Sequence, residues 1–506
     1  MNIRIVNPRR SLSLLAVSVL AAFSPWRCPA AALDMSWGGD RLSVKADQVP
    51  LQDVLGRLQE SGITIRVDPR VNPSVTLHFE NRDFRDGLED LLSGCDYALF
   101  STLIEGPAGS FRHISEINVY MRGDRRALQP LPGKNGNLVR AEAPVHTNVI
   151  ACVKDEVLLR LKKKVSLSEF RALLARLNGT VVESLPALGI YRIRLSPGSD
   201  LAAVLKTLGS DPLVEQAEPN LVYQPVTPQR VAGAAAAVSH GGAAPVQGAA
   251  AVAVLDTGLR ADAGLGDRVL ASLDALAPDR PLADGAGHGT QMALIAAGVT
   301  LPLGGEATAN AAGVPIIPIR AFDDNGYAAG FALMRSLTFA LDQGARVVSM
   351  SWGSETDSGF LNDAMAYAAE RGAVLVAAAG NEPTGRPMYP AANPNVVAVA
   401  ALSPDGSIWS QSNYGSFVEL AAPAFASFPV GYKGPPGAYA GTSVATAFTA
   451  NALARYFALH PEASARQALD ALKGALSREG SASARTHAEI GRLDSRAMAV
   501  FLGSKH

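Results

Sequence analysis

From residue 251 onward, the sequence repeats a short apolar run followed by a helix-length stretch rich in small residues. Apolar runs without polar alternation are typical of strands buried on both faces of a parallel sheet. Parallel strands need a crossover, usually a helix, between them. The pattern therefore predicts an α/β fold with a doubly wound, mostly parallel sheet. The predicted strands lie at 251–255, 314–320, 345–350, 373–378 and 396–401. The predicted helices lie at 332–343 and 361–371.

Composition indicates a folded chain and excludes some classes of function. The 506 residues correspond to about three domains. Hydrophobic residues make up 48% and charged residues 18%, which excludes wholesale disorder. The 45 basic and 46 acidic side chains give a net charge of -1, so there is no basic excess of the kind that nucleic-acid binding uses. The 3 cysteines are too few for a disulfide scaffold, and whether Cys95 and Cys152 pair stays open.

The first 32 residues have the pattern of a signal peptide. Arg4, Arg9 and Arg10 precede an apolar run at 12–23, and small residues follow at 30–32. The run is short of the roughly 20 residues that span a bilayer, and the sequence has no other run of that length. We therefore expect export to the periplasm, the outer membrane or the exterior, with no transmembrane anchor once the signal is removed.

Residues 40–122 predict a small α+β domain. Helix-like spacing from Leu51 and again from Phe84 alternates with strand-like runs at 63–67, 75–79 and 96–100. Between Pro50 and Leu92 this order resembles the short N-terminal domain of secretins and TonB receptors. The resemblance implies a periplasmic or envelope protein partner, whereas the alternative is a plain α+β spacer. Residues 123–148, rich in Arg, Pro, Gly and Asn, are predicted to be a linker.

Residues 149–224 predict a second α+β domain in the order βαββαβ. Ser166 and Glu169 have the spacing of a capping box at the start of its first helix, and a second helix is expected at 201–208. An extended run at 213–223 closes the domain. The pattern is shared by many ferredoxin-like domains, so it does not indicate a function by itself. Residues 225–250 are rich in Ala, Gly and Pro and predict an exposed, cleavable connector.

Four residues of the α/β region fall where such folds place their chemistry. Asp256 directly follows an apolar strand, which suits a carboxylate that orients an imidazole. His288 lies between glycines at the start of a predicted helix. Ser443 also starts a helix, where backbone N–H groups are free to bind an oxyanion, and the side-chain amide of Asn381 follows a strand. Each residue alone could be an ordinary turn or capping residue.

Taken together, the contexts D-T-G, G-H-G-T, A-A-G-N and G-T-S-x-A closely resemble the subtilisin-like serine proteases (subtilases) over about 250–500. The resemblance implies that Asp256 orients His288, that His288 is the general base, and that Ser443 is the nucleophile. It also implies an oxyanion hole formed by Asn381 and the Ser443 N–H. Extended substrate would add as a strand along Ser351, Trp352 and Gly353. Residues 149–224 would then be a propeptide that assists folding and inhibits by placing its tail in the cleft.

Two departures from the family pattern concern geometry and calcium. Ala447 stands where the family usually has Pro, and Ala is a good helix former, so we expect little change. The segment before Asp256 is short and rich in Ala and Gly, without the N-terminal helix of many relatives, so N-terminal calcium ligation stays open. The acidic run from Asp323 to Gly326 is typical of a plain turn. We therefore expect no cofactor for the chemistry and assign no metal-binding residue, while structural calcium stays open.

The sequence thus predicts an exported serine endopeptidase, made as a zymogen and acting on polypeptides. Its mature form is expected to begin between Gln224 and Ala250. The additional N-terminal domain favours a narrow function, that of a maturation protease for one envelope or secreted protein. The alternative is a non-catalytic binding or scaffolding protein on the same fold, acting through its N-terminal domain.

Overall fold

A computed structural model describes most of the chain. The described residues are 33–38, 41–106, 108–121, 127–131, 151–231, 250–278, 280–303, 313–477 and 490–503. The predicted signal peptide lies outside them, as do most of the predicted linker and residues 232–249 of the predicted connector. The described residues divide into two compact units, one formed by 33–131 with 153–220 and the other by 151–152 with 221–503. Among them, no helix is both long and apolar enough to cross a membrane.

The first part of the first unit contains two sheets and two helices. Its strands form sheets in the orders β1-β2-β4 and β5-β6-β3-β7. The predicted apolar face of α1 is buried through Leu51, Val54, Leu55 and Leu58. The elements are β1 Leu33–Gly38, β2 Arg41–Pro50, α1 Leu51–Gln59, β3 Thr64–Val67, β4 Ser74–Asp83, α2 Phe84–Leu91, β5 Asp96–Gly106, β6 Gly109–Tyr120 and β7 Gln129–Pro130. The resemblance of this part to the secretin and TonB domain stays a prediction.

The second part has the predicted order βαββαβ. The Ser166 hydroxyl and the Glu169 side chain form the expected capping box, and Asn178 ends the same helix in the left-handed conformation. Strand β10 pairs antiparallel with both β8 and β9. The elements are β8 Cys152–Leu161, α3 Leu167–Leu177, β9 Gly179–Leu185, β10 Ile190–Leu195, α4 Leu201–Gly209 and β11 Val214–Pro225.

These two parts of the first unit are joined by direct contacts. The Tyr191 hydroxyl accepts a hydrogen bond from the Ala108 N–H at 3.0 Å, and the Ser184 hydroxyl donates to the Glu105 carbonyl at 2.5 Å. The Ser196 hydroxyl donates to the Trp37 carbonyl at 3.2 Å. Residues 33–131 and the βαββαβ part are therefore one packed body rather than two tethered domains. Cys95 and Cys152 are both free thiols.

The second unit is built on a parallel sheet, as the sequence predicts. Within the described residues, eight strands pair in the order β14-β15-β13-β17-β19-β20-β21-β24, and every pair is parallel. The elements are β12 Gln229–Arg230, β13 Ala251–Asp256, β14 Leu273–Asp274, α5 His288–Ala296, β15 Ile316–Arg320, β16 Ala328–Ala329, α6 Gly330–Asp342, β17 Ala345–Met350, β18 Trp352–Gly353, α7 Gly359–Glu370, β19 Val374–Ala378, β20 Val396–Leu402, β21 Leu420–Pro423, β22 Phe425–Phe428, β23 Gly437–Ala440, α8 Thr442–Leu459, α9 Ala465–Ala475, β24 Gly491–Arg492 and α10 Ser495–Phe501.

The strand order places the candidate residues beyond the carboxyl ends of the strands in this sheet. The chain enters at β13, passes through β14 and then β15 on one side and moves to β17 on the other, so the order reverses beside β13. In doubly wound sheets, ligands bind beyond the carboxyl ends of the strands at such a reversal. Asp256 ends β13, Ser351 follows β17, and Asn381 lies three residues after the end of β19.

The packing inside the first unit predicts acid sensitivity. Burial, together with the charge of Arg192, lowers the pKa of His113 from 6.5 to about 4. The unfolded chain therefore binds a proton between these values while the folded chain does not, so stability falls as the pH falls from 6.5 towards 4. At pH 5 we expect a loss of up to about 2 kcal/mol relative to neutral pH.

The substitution His113→Asn should remove this part of the acid sensitivity. Denaturant unfolding at pH 7 and pH 5, in a Ser443→Ala background to prevent self-digestion, measures it. His78→Asn is the matched control, because the His78 side chain is 61% exposed. Equal pH dependence in the His113 variant and the control would contradict the prediction.

Candidate active site

A buried hydrogen bond joins the first two candidate residues. The Asp256 carboxylate accepts from His288 Nδ1 at 2.7 Å, and its exposure and that of His288 are 1% and 0%. The same Asp256 oxygen accepts the Thr257 N–H at 2.7 Å. An ionised carboxylate can only accept a hydrogen bond, so in the neutral imidazole this contact places the proton on Nδ1 and leaves Nε2 as the acceptor nitrogen.

Close backbone approach around His288 requires the glycine before it. Gly287 has a φ of +87° and caps α5, and a Cβ there would lie 2.3 Å from the Gly431 carbonyl oxygen. The segment at 430–433 therefore packs directly on the histidine loop. Tyr432 of that segment stands edge-on to the His288 ring, with centroids 5.6 Å apart.

A second buried carboxylate, that of Asp284, organises the histidine loop. Its Oδ1 accepts from the Thr257 hydroxyl at 2.8 Å and from the Gly287 N–H at 2.7 Å. Its Oδ2 accepts from the Thr290 N–H at 2.8 Å and from the Thr290 hydroxyl at 2.6 Å. Asp284 thus ties the residue after Asp256 to residues on both sides of His288. The sequence analysis gave Asp284 no role, although its place four residues before His288 was a usable signal.

Ser443 and Asn381 lie together at the start of α8. Ser443 is fully buried in the first turn of this helix, where N–H groups have no partner within the helix. The Asn381 side-chain oxygen accepts from the Thr442 N–H at 2.8 Å and from the Thr442 hydroxyl at 2.9 Å. This turns the Asn381 amide nitrogen away from Thr442 and makes it available as a donor. Thr442 is therefore an orienting residue that sequence reasoning missed.

The two halves of the site are joined by packing between α5 and α8. The Asn451 amide of α8 donates to the Ala296 carbonyl of α5 at 2.9 Å. Most of α8 is buried, and it runs unbroken through Ala447, the position where the family pattern has Pro. Within the described residues, the side-chain atoms His288 Nε2 and Ser443 Oγ have no hydrogen-bond partner. Buried unpaired polar atoms are rare and call for an explanation such as a catalytic role.

The chain's own residues 221–231 lie along this site. Val222 and Tyr223 pair antiparallel with Ala329 and Ala328, and Gln224 and Pro225 pair with Gly353 and Trp352. The Val226 N–H donates to the Ser351 carbonyl at 2.8 Å. Beyond the site, Gln229 and Arg230 pair with Ala440 and Tyr439. The sequence assigned 225–231 to the connector, but in the structure Pro225 ends strand β11 and Gln229–Arg230 form strand β12.

A peptide carbonyl of this segment is held beside Ser443. The Asn381 amide nitrogen donates to the Thr227 carbonyl oxygen at 2.7 Å. A Cβ on Gly441 would lie 2.9 Å from that nitrogen, 3.2 Å from the Ser443 hydroxyl and 3.3 Å from the Pro228 Cα. These three groups therefore surround one point. The arrangement can polarise a peptide carbonyl next to a hydroxyl nucleophile.

The acidic run that begins at Asp323 forms a turn. The Asp323 Oδ1 accepts from the Asn325 and Tyr327 N–H groups at 3.0 and 2.8 Å, so this carboxylate stabilises a turn. In the described part of the chain, no group of three or more His, Cys, Asp or Glu side chains is placed to hold a metal ion.

Comparisons with known proteins show which families and relatives this chain is similar to. Residues 248–491 match the Subtilase family, and residues 147–220 match the Fervidolysin N-terminal prodomain. Thermitase of Thermoactinomyces vulgaris is 36% identical over 201 residues, which cover 39% of this chain and 71% of thermitase. Subtilisin Savinase of Lederbergia lenta is 33% identical over 234 residues, covering 46% of this chain and 84% of Savinase.

Solved structures show the same fold. The crystal structure of fervidolysin from Fervidobacterium pennivorans, described as a keratinolytic enzyme related to subtilisin, superposes with a TM-score of 0.57 at 22% identity. The match covers 70% of this chain and 61% of fervidolysin.

The contacts of Asp284 predict that it controls catalytic geometry. Asp284→Asn keeps the size of the side chain but replaces one acceptor oxygen with a donor, so two of the four donors lose their partner. We expect kcat for a peptide substrate to fall about tenfold, or about 1.4 kcal/mol, with KM changed less than threefold. Steady-state kinetics measures this, with Asp262→Asn as the control because that carboxylate is 66% exposed. Equal kcat in the two variants would contradict the role.

Proposed function

Because this chain belongs to the subtilase family and is a serine endopeptidase, we propose that Ser443, His288 and Asp256 are its catalytic triad. The observation that carries the proposal is the Thr227 carbonyl, which accepts from Asn381 beside the Ser443 hydroxyl. It is a peptide carbonyl in the position that an acyl group under attack needs.

The chemistry follows from the protonation states of the three groups. His288 Nε2 takes the Ser443 hydroxyl proton while Oγ forms a bond to the carbonyl carbon. Asp256, bonded to Nδ1 at 2.7 Å, stabilises the resulting imidazolium. His288 then gives the proton to the departing nitrogen as the C–N bond breaks, which leaves an ester on Ser443. Water, activated by the same imidazole, hydrolyses the ester and restores the free enzyme.

Two N–H donors stabilise the oxyanion in this proposal. They are the Asn381 amide, oriented by Thr442, and the Ser443 backbone N–H at the positive end of the α8 dipole. Both are fixed before substrate binds, so little reorganisation is needed as the negative charge develops. The chemistry needs no cofactor.

Polypeptide substrates bind, in this proposal, as an added strand along Ser351, Trp352 and Gly353. The pairing of the chain's own residues 224–226 with this edge supports the assignment. Backbone pairing gives affinity for a peptide without selecting its sequence, so the pockets that bind the substrate's side chains determine which sequences are cleaved.

The prodomain makes the protein a zymogen, and we propose that residues 221–231 inhibit it by occupying the site. Removal of the prodomain would then give a mature enzyme that begins between Gln224 and Ala250. Export through the signal peptide at 1–32 fits this scheme, because a cleft that is closed until arrival protects the cytoplasm. Residues 40–122 are packed against the prodomain and would bring the zymogen to a periplasmic or envelope partner, as a maturation protease requires.

Replacement of the proposed nucleophile tests the triad. Ser443→Ala should abolish hydrolysis of casein and labelling by a fluorophosphonate probe, and a precursor that retains residues 33–223 should accumulate. Ser336→Ala removes another buried hydroxyl, one that donates to the Ala332 carbonyl, and should keep full activity. Turnover within tenfold of the wild type in the Ser443 variant would exclude Ser443 as the nucleophile.

Removal of the side-chain oxyanion donor should affect the rate more than binding. We expect Asn381→Ala to lower kcat by roughly 10²–10³, with KM nearly unchanged, because the donor acts mainly on charge that develops in the transition state. Asn325→Ala, at an exposed turn, is the control. A normal kcat in the Asn381 variant would mean that another group supplies the second donor.

A further inference from the structure

The residue that follows the held carbonyl is a proline. Asn381 donates to the carbonyl of Thr227, so the bond next to Ser443 is the one between Thr227 and Pro228. Pro228 is buried, and its Cα lies 3.3 Å from the point that a Gly441 Cβ would occupy. Pro228 therefore lies on the side of the site where the new amino group of a cleaved peptide would form.

Pairing on both sides fixes this bond at the catalytic centre. Before it, Pro225 pairs with Trp352 and the Val226 N–H donates to the Ser351 carbonyl. After it, Gln229 pairs with Ala440, the residue before Gly441. Moving another bond to Ser443 requires breaking the pairing on both sides, so the segment cannot easily slide.

A proline at this place obstructs the second half of the acylation step. The nitrogen must accept a proton from His288 as the C–N bond breaks. The proline nitrogen carries the ring Cδ where other residues carry a hydrogen. Because the ring holds φ near −65°, Cδ cannot rotate out of the path of the incoming proton. The tetrahedral adduct on Thr227 therefore returns to the intact peptide by expelling Ser443 Oγ, which takes its proton back from His288.

We propose that Pro228 makes residues 221–231 an inhibitor that the active site holds but does not cut, so that activation proceeds at a different bond. The proposal rests on the proposed triad and concerns which bond that triad can break. The inactivity of the zymogen then depends on one residue of the segment, Pro228. A zymogen that cannot cut the bond it holds stays inactive until a second molecule or another protease cuts elsewhere.

The test compares full-length chains by N-terminal sequencing and intact mass after incubation. Wild type should give no product that begins at position 228. Pro228→Ala should give that product at least tenfold faster than wild type, by forming an ester between Ser443 Oγ and Thr227, releasing the nitrogen with a proton, and hydrolysing the ester with water. Pro225→Ala is the matched control, since it changes a proline three residues earlier in the same segment, and should give no such product.

Two further measurements separate the causes of failure. Melting of Pro228→Ala in a Ser443→Ala background shows whether the variant folds, and casein hydrolysis by activated wild type tests the triad independently. Loss of casein hydrolysis would overturn the proposed function itself. With casein hydrolysis present, a wild-type product that begins at position 228, or none from a folded Pro228 variant, would overturn the proposal about Pro228.

Synthetic peptides of residues 221–231 give the same test without refolding. Added to activated wild-type enzyme, the native peptide should inhibit casein hydrolysis and stay uncut between positions 227 and 228. The peptide with Pro228→Ala should be cut at that bond and lose its inhibition within the assay. Cutting of the native peptide there would overturn the proposal.

Discussion

The geometry of the site depends on the buried carboxylate of Asp284. It accepts four hydrogen bonds from Thr257, Gly287 and Thr290, which belong to the two segments that carry Asp256 and His288. Hydrogen bonds to an ionised oxygen are stronger than neutral ones, and four donors compensate for burying the charge. The hydrogen bonds of Asp284 therefore fix the relative positions of the two segments that make the 2.7 Å contact between Asp256 and His288. Together with the Gly289 N–H, which donates to the Thr257 hydroxyl at 2.8 Å, the Asp284 carboxylate fixes the angle at which strand β13 and helix α5 meet.

The parallel sheet was predictable because its strands are buried on both faces and so read as unbroken apolar runs. Strand β17 was predicted at its observed bounds, and β13 and β20 end one residue later than predicted. Asp256 and Asn381 could be picked out because polar residues directly after such runs are conspicuous. Asp284 and Thr442 could not, because their roles come from hydrogen bonds to segments distant in sequence. Pro225 and the residues of β12 were also predicted to be loop, since they form strand only by pairing with β18 and β23.

The two parts of the first unit pack together more closely than the sequence pattern of two separate domains predicted. The sequence predicted two small domains joined by a linker, whereas Tyr191, Ser184 and Ser196 bond the second part to backbone of the first. Such hydrogen bonds between a side chain and the backbone cannot be predicted from the periodicity of hydrophobic residues in the sequence. The half-buried His113 belongs to the first part, yet Arg192 of the second part helps set its pKa. The prodomain and residues 33–131 therefore share one stability and one response to acid.

The burial of α8 has a consequence for how activity can change over generations. The helix that carries Ser443 is lined with alanines, and Ala445, Ala447, Ala450, Ala452 and Ala454 are each fully enclosed. Ala454 lies about 16 Å along the axis from Ser443, at 1.5 Å per residue. A larger side chain there has no space to enter, so it must shift the rigid helix, and the nucleophile shifts with it. Selection can thus adjust reaction rate through remote core volume, leaving every residue that meets substrate untouched.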